Sequence, residues 1–362
     1  MSSRHRKKLN SVESDQHFIQ MMEWLAMESQ AEVERMAERR QRMNSAAAEK
    51  GGETILDLAI VDHLNGLGGR NLFSFKRRDF NKPMPWHRLK VGSPVVVSDF
   101  HDVGGESCSG VVSSRSKDGI QVAVDHWLDG ESFRIDLAAD EVTRQRQMAA
   151  ITTAKDSRGR LGHLRDVMMG EKEPRFAQEL PEVKFRADLN DSQQQAVRFA
   201  LAAEDIAVIH GPPGTGKTTT VVELIVQATE RGQSVLACAP SNTAVDNLLE
   251  KLIAAKQKVV RIGHPARVAE RLRDYTLDGL VEQHENQSVI RDMYREAEQI
   301  YRRAAKWTRS KRARGERQEM RREANELKKH ARMMEQQAID ATLGRAEIIC
   351  ATTTFNLSLI HI

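Results

Sequence analysis

Residues 206–224 read IAVIHGPPGTGKTTTVVEL. Gly211, Gly216, Lys217 and Thr218 satisfy the spacing G-x-x-x-x-G-K-[ST], with the apolar run Ile206 to Ile209 before the loop, expected as a strand, and TTTVVELIVQATE after it, expected as a helix. Glycines at these places let successive backbone N–H groups turn toward one anion. Lys217 then reaches the β and γ oxygens of a nucleoside triphosphate, and the Thr218 hydroxyl ligates Mg2+. The expected nucleotide site is therefore Gly211, Pro212, Pro213, Gly214, Thr215, Gly216, Lys217, Thr218 and Thr219, with Lys217 and Thr218 its catalytic members. Strand and helix patterns alternate from about Leu189 onward, which implies an α/β domain built on a parallel sheet.

The flanking residues narrow the ligand. LNDSQQQAVRFAL, residues 189–201, opens with Asn190 or Asp191 as a helix cap and carries Gln193 in the first turn, 18 residues before Gly211. A carboxamide there offers one acceptor and one donor, matching the N6 and N7 edge of adenine and not guanine, so Gln193 favours ATP over GTP. Downstream, SVLACAPSNTAVDNLLEKL is an apolar strand that ends in Pro240 and a polar cluster, Ser241, Asn242 and Thr243, opening another helix. AEIICATTT ends likewise in Thr352, Thr353 and Thr354. Ligands gather at the carboxyl ends of parallel strands, and short hydroxyl and amide side chains at a helix start hold phosphates without reading bases. Ser241 and Asn242 are also ordinary helix caps. Two such strand ends beside one phosphate loop point to a second, elongated anionic ligand.

Ile290, Met293, Ala297, Ile300, Ala304 and Trp307 step by three and four residues, and Met320, Ala324, Leu327, Ala331, Met334 and Ala338 repeat the pattern. This spacing predicts the seam of an antiparallel helical hairpin at about 279–342. Its tip, RRAAKWTRSKRARGER, carries Arg309, Lys311, Arg312 and Arg314 ahead of Glu316. Such a run suits either a solvated turn or contact with phosphates.

Toward the N-terminus, Phe18, Met22, Leu25, Val33, Met36 and Met43 recur on a near-3.5-residue period, predicting one long amphipathic helix over about 14–49, closed by Gly51 and Gly52. From about Lys90 to Val142 the pattern changes to short β-branched runs separated by HDVGGES, SKDG and LDGE turns, which predicts a small antiparallel barrel. The expected organisation is a basic tail and stalk helix over 1–60, a barrel domain over 61–150, a connector over 151–187 and an incomplete ATPase domain over 188–362. Lys plus Arg number 55 against 51 Asp plus Glu, and a net charge of +4 is too mild to name a nucleic-acid partner by itself. Cys108, Cys238 and Cys350 are far apart and lack metal-ligand spacing, as expected of thiols in a reducing compartment. No apolar run approaches ~18 residues, and MSSRHRKKLN is not followed by the apolar core of a signal. A cytoplasmic monomer without a membrane partner is the expectation.

The run from Gln193 through GPPGTGKT, APSNTAVD and ICATT resembles the superfamily 1 helicases of the nonsense-decay helicase and immunoglobulin-mu-binding helicase group. PMPWHRLKVGSPVVV, RLGHLRDVMMGEKEPRF and VVRIGHPARV are similar to that group as well, so the likeness covers most of the chain from about Asn71. The resemblance implies a first RecA-like domain using ATP and Mg2+. By the same likeness Gln193 reads adenine, Gly214 to Thr218 hold the phosphates, and Ser241, Asn242 and Thr352 lie on the nucleic-acid backbone. It also implies that the first helix is a stalk carrying the barrel, that the hairpin is an insertion, and that movement runs 5′ to 3′ along single-stranded DNA or RNA. The sequence departs from the pattern in one respect. Such helicases need a strand ending in Asp-Glu to hold Mg2+ and position water, and no Asp-Glu pair follows Lys217. The pair Asp140-Glu141 lies ahead of the loop. A second sheet domain, the C-terminal helicase half, is missing too. The chain is thus expected to be a front portion that binds ATP and hydrolyses it inefficiently, with Asp246 and Asp340 the first carboxylates to test if it does not. Two other classes fit part of the pattern. A ring-forming ATPase uses GPPGTGKT without predicting APSNTAVD, and a non-catalytic module would hold nucleic acid through barrel and hairpin while ATP stabilised its fold.

Overall fold

The computed structural model describes residues 11–42, 45–65, 70–79, 81–100, 107–124, 127–128, 130–138, 141–306 and 311–354. The chain divides into two compact units. One comprises Met1–Arg39, Ala139–Val259 and Glu347–Ile362, and the other Arg40–Ala138 and Val260–Ala346. Where the periodicity predicts a single helix to Glu49, helix is found in two pieces, α1 (Ser11–Arg42) and α2 (Ser45–Lys50), with residues 43–44 outside the described set.

Six strands follow: β1 (Thr54–Asn65), β2 (Asn71–Arg77), β3 (Pro94–Asp99), β4 (Ser107–Arg115), β5 (Ile120–Val124) and β6 (Phe133–Leu137). They close into an antiparallel barrel in the order β1-β2-β5-β4-β3-β6. Two of its strands, β1 and β2, precede the stretch whose pattern announced it. Period-two alternation turns Phe73, Phe75, Val95, Val97, Ile120, Val122, Val124, Phe133 and Ile135 inward, none more than 2% exposed. The register of β1 against β6 slips between Ile55 and Leu58, where Asp57 takes a left-handed φ of 49°. The Asp57 carboxylate accepts from Ser132 Oγ at 3.2 Å, which anchors that bulge. Asp136 is buried but satisfied, accepting from Thr54 Oγ1 at 2.7 Å and from Arg134 at 2.6 and 2.8 Å. Glu49 on α2 accepts from Arg77 Nη2 at 2.8 Å and from the Leu56 N–H at 3.0 Å, fastening the helix to the barrel.

The next elements are α3 (Glu141–Asp156), α4 (Gly159–Met168), α5 (Asp191–Ala202), α6 (Lys217–Glu230), β7 (Val235–Ala239), α7 (Asn242–Ala254) and β8 (Val259–Arg261). The chain then forms 3-10 turns at Pro265–Arg267 and Glu270–Tyr275, followed by α8 (Leu277–Glu282), α9 (Gln287–Lys306) and α10 (Lys311–Gly344). Helices α9 and α10 pack through Ile290, Tyr294 and Ala331 and through Ala297, Ile300 and Ala324. Tyr294 donates to Glu335 Oε2 at 3.4 Å inside this seam, and burial, reinforced by Glu335, pushes its phenol up to about 12. Within the same unit the barrel meets this region through Arg267 Nε donating to Gly92 O at 3.1 Å, Arg70 with Asp278 at 3.6 Å, and His63 with Glu298 at 3.7 Å.

The chain returns as β9 (Ile348–Thr352), which pairs in parallel with β7 from Val235 opposite Ile348 to Ala239 opposite Thr352. The sheet order is β7-β9-β8. The expected strand at Ile206–Ile209 is a correction. Residues 206–209 carry no β pairing among the described residues, and Val208 is 79% exposed. Composition suits the run to a strand, but a strand exists only as part of a ladder, and here no neighbour lies beside it. β7 likewise has a neighbour on one side only, and its Leu236 is 44% exposed.

Candidate nucleotide and nucleic-acid site

Gly214 and Gly216 adopt φ of 81° and 78°, the left-handed region that strains a side chain. A Cβ on Gly211 would lie 2.7 Å from Thr215 Oγ1, and one on Gly216 only 2.5 Å from Gln193 Nε2. Backbone conformation and close approach together explain why this turn is written in glycine. Thr215 Oγ1 donates back to Pro212 O at 2.8 Å, and Lys217 Nζ donates to Gly211 O and Pro212 O at 2.6 and 2.7 Å. Helix α6 begins at Lys217 with Gly216 as N-cap and no capping side chain, so its first N–H groups are left to an anion. Pro212, Pro213, Lys217 and Thr218 are exposed, while Thr219 is half-buried with Oγ1 3.4 Å from Lys251 Nζ.

Gln193 is tied to this loop. Asn190 caps α5 by accepting the Gln193 N–H at 2.9 Å, and Gln193 Oε1 accepts the Asn190 N–H at 3.1 Å, a reciprocal capping box. Gln193 Nε2 donates to Thr215 O at 3.0 Å, joining the start of α5 to the phosphate loop. The carboxamide keeps one hydrogen on Nε2 and one lone pair on Oε1.

The two polar strand ends meet. Ala239 pairs with Thr352, and the Thr353 N–H donates to Ala239 O at 3.0 Å, so residues 241–243 and 352–353 share one rim of the sheet. Ser241 Oγ caps α7 by accepting the Ala244 N–H at 3.2 Å, which leaves its own hydroxyl hydrogen as a donor. Ser241, Thr243 and Thr353 are exposed, Asn242 and Thr352 half-buried. Arg309 lies outside the described residues, as do the side chains of Lys311, Arg312 and Arg314 in the first turn of α10. Asp246 is 8% exposed on α7, and Asp340 on α10 accepts from Gln336 Nε2 at 2.8 Å. Asp140 also falls outside the described residues, and Glu141 opens α3.

One functional group escaped the sequence reading. Asp205, immediately ahead of the 206–209 run, accepts from the Arg175 backbone N–H at 2.9 Å and from its Nε and Nη2 at 3.1 and 3.0 Å. His163 Nε2 lies 3.1 Å from Asp205 Oδ2, and Arg160 completes the set. Arg175 above all, then Arg160 and His163, hold this carboxyl well below the usual range. The Phe176 and Phe199 rings stack at 4.6 Å, a further link between the connector and α5. The entry to the phosphate loop is therefore pinned to the connector. RGRLGHL offers a basic signal, but its acidic partner stands more than 40 residues away.

Known proteins sharpen this picture. Residues 188–358 match the model of an AAA domain, and residues 18–144 match that of the helicase SMUBP-2/HCS1 1B domain. DNA-binding protein SMUBP-2 of Rattus norvegicus is 35% identical over 346 residues, 92% of this chain and 34% of its own length. DNA polymerase alpha-associated DNA helicase A of Schizosaccharomyces pombe is 38% identical over 168 residues, 46% of this chain and 25% of that protein. An uncharacterized ATP-dependent helicase of Methanocaldococcus jannaschii is 34% identical over 221 residues, 58% of this chain and 33% of that protein. The chain spans about a third of the length of the SMUBP-2 relative. A phosphate loop heading an AAA domain, with a helicase-specific barrel before it, defines a portion of a superfamily 1 ATP-dependent helicase. Across both matched regions the chain is similar to SMUBP-2 and to other helicases. The helicase-specific barrel displaces the ring-forming alternative. Among the described residues no helix is long and apolar enough to cross a membrane.

Proposed function

We propose that this chain is the ATP-binding and single-strand-gripping portion of its helicase, of the nonsense-decay and immunoglobulin-mu-binding type, working as a monomer. One observation carries the reading: Gln193 is bonded to the phosphate loop through Thr215 O, while Ser241 and Thr353 edge a shared rim of the same unit's sheet. The spare lone pair on Gln193 Oε1 suits the adenine N6 amino group and the spare Nε2 hydrogen suits N7, whereas guanine would set its O6 against Oε1. Lys217 exchanges the Gly211 and Pro212 carbonyls for β and γ oxygens, and the uncapped start of α6 supports the phosphates. Mg2+, held by Thr218, supplies charge neutralisation when bound.

The single strand, DNA or RNA, is held along its backbone by Ser241, Asn242, Thr243, Thr352 and Thr353. The basic run Arg309, Lys311, Arg312 and Arg314 supplies further phosphate contacts of its own. In this reading α1 is the stalk of the barrel, α9 and α10 form a hairpin inserted at about 279–342, and the domains divide at 60, 150 and 187. Stepping 5′ to 3′ along that strand also calls for an Asp-Glu carboxylate pair and a second sheet domain that closes on the strand. By itself the chain binds ATP with little turnover, since no Asp-Glu pair follows Lys217.

Titration of the pure chain with Mg-ATP and Mg-GTP tests the first half, and equal affinities would overturn it. Single-strand binding across a salt series tests the second half. Replacing Arg309, Lys311, Arg312 and Arg314 should flatten the log-log slope by ~0.7 for each phosphate that is no longer neutralised. An unchanged slope would reduce the tip to a solvated turn.

A further inference from the structure

Glu223 is a buried carboxylate that the nucleotide chemistry does not use. It stands six residues after Lys217 on α6 and is 2% exposed. Its Oε1 accepts the Arg186 backbone N–H and Gln227 Nε2, and its Oε2 the Ala187 backbone N–H, all at 3.0 Å. Four and eight residues on, the same stripe of α6 continues the pattern. Gln227 Nε2 donates to Lys184 O at 3.0 Å, and Arg231 Nη2 donates to Glu182 O at 2.9 Å. Arg231 Nη1 braces Gln227 through its backbone O and Oε1 at 2.7 and 3.1 Å, and Arg186 pairs with Glu230. Residues 182–187 belong to no strand, and these side chains bond their backbone as a neighbouring strand otherwise would. A buried carboxylate is expensive unless fully bonded, and an apolar residue would cover the same area more cheaply. What Glu223 adds is direction.

The strap ends at Ala187, three residues before the α5 cap Asn190 and six before Gln193, with Leu189 buried between them. Helix α6 itself starts at the phosphate loop. One helix therefore fixes both ends of a frame, the loop directly and the strap through Glu223, and the Gln193 bond to Thr215 O closes it. We infer that Glu223 is a positioning residue for base selectivity, setting where Gln193 stands relative to the phosphate loop so that a bound purine is read as adenine. This rests on the adenine-reading role proposed for Gln193. The effect falls on the base and not on the phosphates, because Lys217 and the start of α6 keep their places without the strap.

The test compares binding of Mg-ATP, Mg-GTP and Mg-tripolyphosphate to the full chain in four forms: parent, Gln193→Ala, Glu223→Gln and Arg231→Ala. Glu223→Gln keeps the shape but turns one acceptor into a donor facing an N–H of the strap. ATP affinity should fall on the order of tenfold while GTP and tripolyphosphate stay within about twofold, so that the preference shrinks toward that of Gln193→Ala. Arg231→Ala cuts the rung furthest from Gln193 and should shift the preference in the same direction by roughly threefold. It carries the test if Glu223→Gln does not fold. A parallel fall for all three ligands, the mark of a merely loosened α6, would overturn the proposal. So would an ATP preference that survives both strap variants while Gln193→Ala loses it, and that outcome leaves the adenine reading standing. A parent chain without any preference would instead overturn the adenine reading, and the role of Glu223 with it.

Discussion

The barrel and the nucleotide-binding core face the same demand, to bury apolar strands without orphaning their backbone, and meet it differently. Over residues 54–137 six strands close on one another around a core of fully buried Val, Ile and Phe, leaving no ladder edge. Among the described residues the core around the phosphate loop has three strands, the two outer ones with a single strand neighbour each, and an apolar run at 206–209 with none. Beside its buried Val245, Leu249, Leu252 and Ile348 it relies on charge and hydrogen bonds: the Asp205 knot ahead of the loop and the polar stripe of α6 behind it. A closed ladder yields only when the core yields. Side-chain bonds to backbone can be remade one at a time, which suits a loop that must admit and release a ligand.

The strongest way to break this contrast is in the barrel. Phe75→Ala, at a fully buried position, should cost about 3–5 kcal/mol in denaturant unfolding. A loss below about 1 kcal/mol would mean that the closed core is not what holds the region. Next comes the loop. Lys217→Ala should weaken Mg-ATP binding about 100-fold, or about 2.7 kcal/mol, without lowering the melting temperature. The reason is that this exposed side chain bonds only two loop carbonyls. A lowered melting temperature would make it structural.

Acid should separate the two regions. Burial first, then Arg70 and Arg267, bring His264 down to about 4, so it is neutral in the fold while its unfolded counterpart titrates near 6.5. The unfolded state then takes up the proton first as pH falls. The stabilisation is complete above about 6.5 and is lost as pH falls through about 4, by up to about 3 kcal/mol. Asp205 is held low by Arg175 and its companions, so its contribution persists above the ordinary Asp range near 4 and fades only below it. Hydrogen exchange at pH 5 should therefore show the barrel-bearing unit loosening first, with His264→Gln cancelling the difference. The reverse order would refute the comparison. The smallest effect belongs to Val208→Ala, at an exposed and unpaired position, which should change stability by less than about 0.5 kcal/mol. A larger loss would place that run inside a core.

Short-range patterns were legible in the amino-acid order. Lys217 and Thr218 follow Gly211 and Gly216 at the spacing a phosphate loop requires, and Asn190 or Asp191 reads as a helix cap ahead of Gln193, whereas the choice of Asn190, its reciprocal box with Gln193 and the left-handed φ of Gly214 and Gly216 are seen in the fold. Alternation over 90–142 announced a barrel, and the polar ends of β7 and β9 announced their rim. Other features wait on partners far along the chain. TILDLAIVDHLN hides a strand because its bulges, at Asp57 and between Ile60 and Asp62, break the period of two that marks one. Ile206 to Ile209 reads as a strand because composition reports suitability, and only the assembled sheet reports whether a ladder neighbour is there. Glu223 looks like any polar residue on a helix until residues 36 and 37 positions away present their N–H groups to it. Side-chain chemistry and local spacing are set residue by residue. Pairing between distant segments depends on the entropy and packing of the whole chain, and for that reason only the tertiary structure decides it.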